Sequence, residues 1–317
     1  MRIILDTDPG IDDSLAILFL AAQPDIEIVA VGSVHGNVPA PTAADNALRV
    51  LDVAGLNNVP VAVGANRPLA QELHTAEFVH GADGLGGQAG PAPHRRPVDI
   101  SAAEQIVTLA RANPGELTLL ALGPLTNVAV AALLEPRLPE LLHSVMVLGG
   151  ALSVPGNVTT HAEANIWHDP EAADLVFDTG FPNLTLVGLD VTDTARADEA
   201  WLAALAEVST PRAQFASALL KHYADFYSRM FGFRTCTIHD PLAAVLLQDP
   251  TLAEYQEVVV TVELLGTHTR GQLITDRRNI VDDSDIESKA GQGRTPVRAA
   301  KSVNREAYLT RLFEALK

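Results

Sequence analysis

The sequence has very little cysteine and few basic residues for its length. Cys236 is the one cysteine among 317 residues, so no intramolecular disulfide can form and a cluster of thiolate metal ligands is excluded. Lysine and arginine total 22 against 39 aspartates and glutamates, which gives a formal net charge of −17. Nucleic-acid phosphates and anionic lipid would repel a chain this acidic. We therefore expect neither a nucleic acid nor a membrane as a partner.

Long apolar runs are also missing. The stretch before Asp6 is too short for the core of a signal peptide. The run from Leu15 to Ala22 is among the longest in the chain, far below the roughly 20 residues of a membrane-spanning helix. Because 47% of the residues are hydrophobic and only 19% are charged, a large core can form. These features predict a soluble, cytoplasmic globular protein.

Short β-branched apolar runs alternate with longer helical patterns along the first half of the chain. The predicted strands are Ile3–Leu5, Ile26–Val34, Val59–Val63, Leu117–Leu122, Val145–Leu148 and Leu184–Leu189. The predicted helices are Ser14–Ala22, Pro41–Ala54, Ala102–Ala112, Leu125–Leu134 and Pro170–Phe177. This order predicts an α/β fold, with a mostly parallel open sheet and helices on both faces. No linker is evident, so we expect residues 1–317 to form one domain.

The second half of the chain is richer in helical patterns. The expected elements there are helix from Asp198 to about Phe231, a helix beginning at Pro241, a strand pair at Glu257–Leu265 and Thr269–Asp276, and a helix at Arg305–Leu316. The glycine-rich segment, residues 80–93, carries five glycines and two prolines. Such a composition predicts an exposed, mobile loop, which is either a plain surface connection or a lid over an active site.

Four aspartates directly follow the first predicted strand. Asp6, Asp8, Asp12 and Asp13 lie within eight residues, at the strand end where open α/β sheets bind ligands. Two carboxylates about 5 Å apart repel by roughly 3 kcal/mol at an effective dielectric constant near 20. An N-cap role for Asp12 or Asp13, or the helix dipole, offsets only part of this repulsion. Carboxylates without a nearby Cys or His favour Ca²⁺ or Mg²⁺, so the cluster predicts a metal site.

Two families of enzyme begin with a similar aspartate pattern. Asp6-Thr7-Asp8 is similar to the nucleophile and acid pair of haloacid-dehalogenase phosphatases, although Pro9-Gly10 breaks their register. The longer string DTDPGIDD resembles the N-terminal signature of the inosine–uridine nucleoside hydrolase family. Further pieces follow in that family's order up to about residue 280: Val34–Asn37, Gly123–Asn127, Leu148–Gly150, Gly156-Asn157, Ala162–Asn165, Asp169–Ala172, Ile238–Pro241 and Thr269–Gln272.

The resemblance implies which residues bind the metal and the sugar. Its Ca²⁺ ligands would be Asp8, Asp13, Asp240 and the backbone carbonyl of Thr126. Asp240-Pro241 is also typical of a helix N-cap followed by proline, and the two roles are compatible. The ribose contacts would be Asp12, Asn37, Asn157, Glu163 and Asn165, each of which by itself is more typical of a turn. Weaker candidates for contacts with the base are His80, Tyr223 and Tyr227, and the tyrosine spacing is equally typical of core packing.

The reaction implied by the resemblance is hydrolysis of the N-glycosidic bond of a purine or pyrimidine ribonucleoside. A water activated by Ca²⁺ would attack the sugar, with Asp12, or else Asp13, as the general base. His239 would be the general acid for the leaving base, unless it is a buried structural histidine. A homodimer or homotetramer is expected from the family. Two alternatives stay open: a Mg²⁺-dependent phosphatase that uses Asp6, and a non-catalytic nucleoside-binding protein.

Overall fold

The computed structural model describes residues 1–276, 291 and 293–317. Its strands are β1 (Arg2–Thr7), β2 (Glu27–Ser33), β3 (Val61–Val63), β4 (Leu117–Ala121), β5 (Ser144–Leu148), β6 (Leu184–Val187), β7 (Ala197–Asp198), β8 (Thr235–Cys236), β9 (Ala253–Val258), β10 (Thr261–Val262), β11 (Leu273–Ile274) and β12 (Val297–Val303). Eight of them form one sheet in the order β3-β2-β1-β4-β5-β6-β12-β9. Every pairing in it is parallel except that of β9 with β12. The mostly parallel open sheet predicted from the sequence is confirmed.

Helices connect the strands and cover both faces of the sheet. They are α1 (Ile11–Ala21), α2 (Ala40–Val53), α3 (Glu77–His80), α4 (Ala102–Ala112), α5 (Thr126–Leu134), α6 (Leu138–Leu141), α7 (Ala164–His168), α8 (Pro170–Asp178), α9 (Leu189–Thr192), α10 (Glu199–Ala206), α11 (Pro211–Phe231), α12 (His239–Gln248) and α13 (Arg305–Leu316), with a 3₁₀ turn at Pro250–Leu252. In the described part of the chain, no helix has the length and apolar character needed to cross a bilayer.

Strand β1 runs through the centre of the sheet and contributes to a core on each side. Ile3 and Leu5 pack in one buried cluster, and Ile4 packs in the other, because successive side chains of a strand point to opposite faces. Neighbours β2 and β4 lie on the two sides of β1. The chain therefore leaves β1 towards one edge and later returns to the other side, which makes the carboxyl end of β1 a topological switch point.

Most predicted elements are confirmed to within two residues, and the exceptions are informative. Helix α1 begins at Ile11, three residues before the expected start at Ser14. Helix α12 begins at His239 with Ile238 as its N-cap, so Asp240 is not the cap and Pro241 is not the first helical residue. Proline is accommodated there because the N–H groups of a first helical turn have no intrahelical acceptor.

The late strand pair is only partly correct. Strands β10 and β11 do form an antiparallel hairpin, but each has two residues, and the preceding β9 pairs with β12 in the main sheet instead. Strand β12 was not predicted from the sequence. Its residues, VRAAKSV, combine two alanines with charged side chains, a composition with low β-propensity.

Candidate active site

Three buried carboxylates meet at the carboxyl end of β1. One oxygen each of Asp12, Asp13 and Asp240 lies within 4.8 Å of the other two, and all three side chains are at most 4% exposed. Asp12 and Asp13 belong to the first turn of α1, whereas Asp240 comes from the first turn of α12. Helices α1 and α12 pack against each other, which brings residues more than 200 positions apart in the sequence into one cluster.

Asp13 is held by donors on three sides. The hydroxyl of Thr7 donates to Oδ1, while the backbone N–H of Gly10 and the side-chain amide of Asn37 donate to Oδ2 at 2.9 and 3.0 Å. As the third residue of α1, Asp13 thereby caps the helix through Gly10. These bonds fix the orientation of the carboxylate before any ligand binds.

Asp8 lies beside these three carboxylates, and the backbones of two glycines pack against it. Its Oδ2 accepts the backbone N–H of Asn37 at 2.6 Å, and the backbones of Gly36 and Gly123 approach its carboxylate so closely that neither position has room for a Cβ. The loops after β2 and β4 therefore enclose Asp8 from both sides of β1. Glycine at these two positions is required by the close approach of the backbone.

The carboxylates of this cluster strongly disfavour one another's ionisation. Burial, followed by the charge of Asp13, raises the pKa of Asp12 to about 7. Burial and the charge of Asp13 also raise the pKa of Asp8 well above its usual range. For Asp240, burial and the charge of Asp12 raise the pKa in the same way. A site of this kind would be stabilised by a cation, because each additional negative charge in a low-dielectric space is costly.

Asp6, the nucleophile of the phosphatase alternative, is sealed inside the protein. Its side chain is 0% exposed, its Oδ1 accepts from Asn127 Nδ2 at 2.8 Å, and its Oδ2 has no hydrogen-bond partner in the part of the chain that the structure describes. Burial raises its pKa to about 7, although the bond from Asn127 lowers it. A carboxyl group in this position has no access to a phosphoryl group, so the geometry disfavours the phosphatase mechanism.

Thr126 begins α5, three residues after the Gly123 that packs against Asp8, and two buried residues hold its side chain. Its Oγ1 donates to Asp169 Oδ2 at 2.6 Å and lies 3.0 Å from His35 Nε2. Burial lowers the pKa of His35 to about 4, so its neutral ring donates through Nε2, while its Nδ1 has no partner among the residues that the structure describes. Sequence alone does not indicate His35 and Asp169 as parts of the site, because only the fold brings them to Thr126.

The predicted ribose residues differ in which of their hydrogen-bonding groups are already used within the protein. Asn165 Nδ2 donates to the carbonyls of Leu122 and Leu148 at 2.6 and 3.1 Å, which leaves its amide oxygen as an acceptor. The carboxylate of Glu163 caps α7 and accepts the N–H groups of Gly150, Asn165 and Ile166.

The remaining predicted ribose contacts lie in the loops around the cluster. Asn157 is exposed, and its Oδ1 accepts the N–H of Ala164 at 3.0 Å. Asn37 uses its Nδ2 on Asp13, so its amide oxygen, like that of Asn165, is available to a hydroxyl. The structure thus fixes the amide of Asn37 on Asp13 and the amide of Asn165 on two backbone carbonyls, and Glu163 serves as the N-cap of α7.

His239 contacts Asp12 through its backbone and lies beside two tyrosines of α11. The N–H of His239 donates to Asp12 Oδ2 at 3.3 Å. The ring of His239 contacts Tyr227 OH through Nε2 at 3.2 Å and Thr192 Oγ1 through Nδ1 at 2.8 Å. The rings of Tyr227 and Tyr223 are 4.9 Å apart, and both tyrosines are buried, as core residues are. The predicted acid and the predicted base are therefore neighbours.

His80 lies at the N-terminus of α1. Its Nδ1 accepts the backbone N–H of Ile11 at 3.1 Å, and its ring is 5.3 Å from that of Tyr223. Burial lowers its pKa to about 3, so the ring is neutral with its proton on Nε2. The expected full exposure of the glycine-rich segment is wrong, because His80, Gly84 and Leu85 are buried.

Comparison with known proteins agrees with this geometry. The family model described as inosine-uridine preferring nucleoside hydrolase matches residues 3–310. The probable uridine nucleosidase 1 of Oryza sativa subsp. japonica is 40% identical over 277 residues, 87% of this chain and 85% of the relative. The inosine-uridine preferring nucleoside hydrolase of Crithidia fasciculata is 39% identical over 280 residues, 88% of each.

Solved structures show the same relationship. A plant nucleoside hydrolase superposes with a TM-score of 0.94 at 36% identity, covering 99% of this chain and 98% of that one. A purine-preferring ribonucleoside hydrolase from Gardnerella vaginalis gives 0.90 at 28% identity, covering 100% and 98%. Together with the family match, these likenesses show that the chain belongs to the inosine-uridine preferring nucleoside hydrolase family.

Proposed function

We propose that this protein is a Ca²⁺-dependent ribonucleoside hydrolase that cleaves the N-glycosidic bond to ribose and a free base. The observation that carries the proposal is the buried carboxylate trio of Asp12, Asp13 and Asp240, in which Asp12 accepts the backbone N–H of His239. A candidate base and a candidate acid are therefore neighbours at one site. Family membership supports the class of reaction.

The donor set fits a hard divalent cation. The groups that would hold it are the carboxylates of Asp8, Asp13 and Asp240 and the backbone carbonyl of Thr126. All are oxygen donors, which Ca²⁺ prefers, and no thiolate is nearby to favour a softer ion. When bound, Ca²⁺ would neutralise the carboxylates and supply a more acidic water for attack on the sugar.

Asp12 is the residue best suited to accept a proton. Asp13 takes donors from Thr7, Gly10 and Asn37, whereas Asp12 accepts a long bond, 3.3 Å, from the N–H of His239. A carboxylate that few donors restrain can turn towards an attacking water and accept its proton.

We propose that His239 delivers the proton that the leaving base requires. Burial lowers the pKa of His239 to about 4, with a further contribution from Arg196, so the ring is neutral before substrate binds. Its Nε2 lies 3.2 Å from the hydroxyl of Tyr227. We infer that the proton reaches the leaving base through His239 as negative charge develops on that base, and that the Tyr227 hydroxyl resupplies the ring.

Recognition of ribose falls to amide oxygens beside the carboxylates. Asn37 and Asn165 have their nitrogens committed to Asp13 and to backbone carbonyls, which leaves each oxygen to accept a sugar hydroxyl. The carboxylate of Asp12 is a third acceptor for the hydroxyl nearest the reacting carbon. Such fixed acceptors also stabilise the positive charge that develops on the ring in the transition state.

The decisive experiment is a panel of ribonucleosides incubated with the purified protein, with released ribose as the readout. The names of the relatives suggest uridine and inosine as the first substrates. Treatment with a chelator should abolish ribose release and Ca²⁺ should restore it, while Asp13→Ala should not be rescued by moderate Ca²⁺. Full activity in excess chelator, after the loss of the ion has been confirmed, would refute the metal mechanism. Tight nucleoside binding without any ribose release would favour the non-catalytic binding protein.

A further inference from the structure

A buried asparagine on α2 joins two separate segments of the site. Asn46 is 0% exposed. Its Nδ2 donates to the carbonyl of Pro9 at 3.1 Å and to the carbonyl of Asp83 at 2.8 Å, and its Oδ1 accepts from Arg49 at 3.0 Å. Pro9 belongs to the turn that carries Asp8, whereas Asp83 belongs to the glycine-rich segment. One side chain therefore uses both of its amide hydrogens to hold these two segments together.

The glycine-rich segment is internally braced around Asp83. The carboxylate of Asp83 accepts the backbone N–H groups of Leu85 and Gly87 at 2.9 Å each and that of Ala89 at 3.1 Å. These bonds lower the pKa of Asp83 against the effect of its partial burial. One carboxylate thus binds three backbone N–H groups of the segment. We therefore expect a displacement of the Asp83 carbonyl to move the segment as a unit.

Two further contacts join the glycine-rich segment to the turn that carries Asp8. Gly84 adopts a φ of +77°, and a Cβ there would lie 2.9 Å from Asn46 Nδ2. His80 accepts the N–H of Ile11, and a Cβ on Gly10 would lie 2.5 Å from His80 Nδ1. The segment thus approaches the turn at two points, through the ring of His80 and at Gly84, and Asn46 lies at the second of them.

We propose that Asn46 is a positioning residue that couples the glycine-rich segment to the metal-binding turn. Through Pro9 it fixes the turn that sets the spacing of Asp8 and Asp13, and through Asp83 it fixes the segment that presents His80. Binding of the cation and order in the glycine-rich segment then depend on each other. The proposal rests on the proposed function insofar as the turn is a Ca²⁺ site.

The chemistry of the residue explains why asparagine is suited to this position. Both acceptors are backbone carbonyls, so the bridging group needs two hydrogens in a planar fork, which a primary amide supplies. Aspartate has nearly the same shape but would present an oxygen to each carbonyl. Asn46→Asp therefore removes the coupling with little change in volume, and it leaves two buried carbonyls without a donor.

The test compares Asn46→Asp with wild type and with Asn183→Asp. Asn183 also donates its amide to a backbone carbonyl, that of His143, at 3.1 Å, but at an exposed position just before β6, so it controls for the loss of such a donor away from the site. We would measure amide hydrogen exchange along the chain and titrate Ca²⁺ alone by calorimetry. Asn46→Ala, which removes the donors without adding charge, replaces Asn46→Asp if the latter does not fold.

We expect the backbone amides of residues 10–13 and of the glycine-rich segment to exchange at least about tenfold faster together in Asn46→Asp, with the rest of the chain unchanged. The Kd for Ca²⁺ should rise by about 10–100-fold, as is usual when a group supporting a metal ligand is lost. Faster exchange in the glycine-rich segment alone, or an unchanged Kd, would overturn the coupling. If wild type itself binds no Ca²⁺, the proposed function fails, and the exchange pattern alone decides the role of Asn46.

Discussion

The hydroxyl of Thr126 donates to Asp169 Oδ2 at 2.6 Å and receives the ring N–H of His35 at 3.0 Å. Both partners are 0% exposed. Asp169 also caps α8 through the N–H of Ala172 and accepts the N–H of Leu69, so it is fixed by elements on both sides of Thr126. The first residue of α5 is therefore held by its side chain, and the orientation of its backbone carbonyl follows from that restraint.

Removal of the Thr126 hydroxyl should weaken the binding of Ca²⁺ although every carboxylate is kept. Thr126→Val keeps the shape but leaves Asp169 and His35 without their shared partner. We expect the Kd for Ca²⁺ to rise by about 10–100-fold, as measured by calorimetry. Thr126→Ser, which keeps the hydroxyl, is the matched control and should stay close to wild type. Equal affinities of the valine and serine variants would show that the hydroxyl does not orient the ligand.

Buried neutral histidines should make the fold sensitive to mild acid. Burial, together with the nearby His74, lowers the pKa of His168 from 6.5 to about 4, although the bond from its Nδ1 to Ala164 opposes this shift. Below pH 6.5 the unfolded chain binds a proton at this residue that the folded chain does not bind. Stability is therefore complete above pH 6.5 and is lost as the pH falls towards 4.

This contribution can be isolated with one variant. The free energy of unfolding of wild type should fall, relative to that of His168→Asn, by about 2 kcal/mol between pH 7 and pH 5. Asparagine keeps an amide donor near the position of Nδ1 but does not titrate. Urea unfolding at several pH values measures the difference. Parallel pH profiles for the two proteins would mean that His168 is protonated in the folded state as readily as in the unfolded chain.

Ribose discrimination tests the acceptor oxygens of Asn37 and Asn165 together with Asp12. A site built to hydrogen-bond a hydroxyl commonly rejects the analogue that lacks it by about 10⁴-fold or more, because buried polar groups are left unpaired. We expect kcat/KM for deoxyuridine to fall below that for uridine by a factor of this order. Asn165→Asp, which changes the amide that is anchored on Leu122 and Leu148, should reduce this preference. Comparable kcat/KM for the two nucleosides would remove these residues from sugar recognition.

The sequence predicted the parts of the molecule that are encoded locally. Buried parallel strands such as β4, with residues LTLLA, are continuous apolar runs. The residues at which they begin and end can therefore be predicted from the sequence. The aspartates after β1 are likewise adjacent in the chain. By contrast, β12 is stabilised mainly by its two neighbours in the sheet, and nothing in its own composition marks it as a strand.

The supporting residues of the site were not predictable, because each acts through a distant partner. Asn46 meets Asp83 across 37 positions, and Thr126 meets Asp169 across 43. Buried polar residues on helices or in loops have no periodic signal. Their role is evident only from their hydrogen-bond partners in the folded protein. The predicted start of α12 at Pro241 was wrong for a related reason. A proline near a helix start is compatible with several positions in the first turn.

The role of His239 can be separated from that of a structural histidine by the choice of leaving group. A purine or pyrimidine base leaves poorly unless it gains a proton, whereas p-nitrophenolate leaves without one. His239→Ala should slow inosine hydrolysis by about 10²–10⁴-fold, the usual range for general acid catalysis, but hydrolyse p-nitrophenyl riboside at close to the wild-type rate. Tyr227→Phe removes the hydroxyl that contacts Nε2 and should show the same selectivity to a smaller degree.

The contacts of His239 also supply the control for this experiment. Thr192→Val removes the partner of Nδ1 but keeps the packing of the ring, so it tests whether the orientation of the ring alone accounts for the effect. If His239 only supported the fold, its loss would disturb the site as a whole, and kcat/KM for both substrates would fall together. If neither substrate were affected, the proton would come from another group. His80 would then be the next residue to test, because its Nδ1 accepts the N–H of Ile11, which leaves the proton on Nε2, and its ring lies 5.3 Å from that of Tyr223.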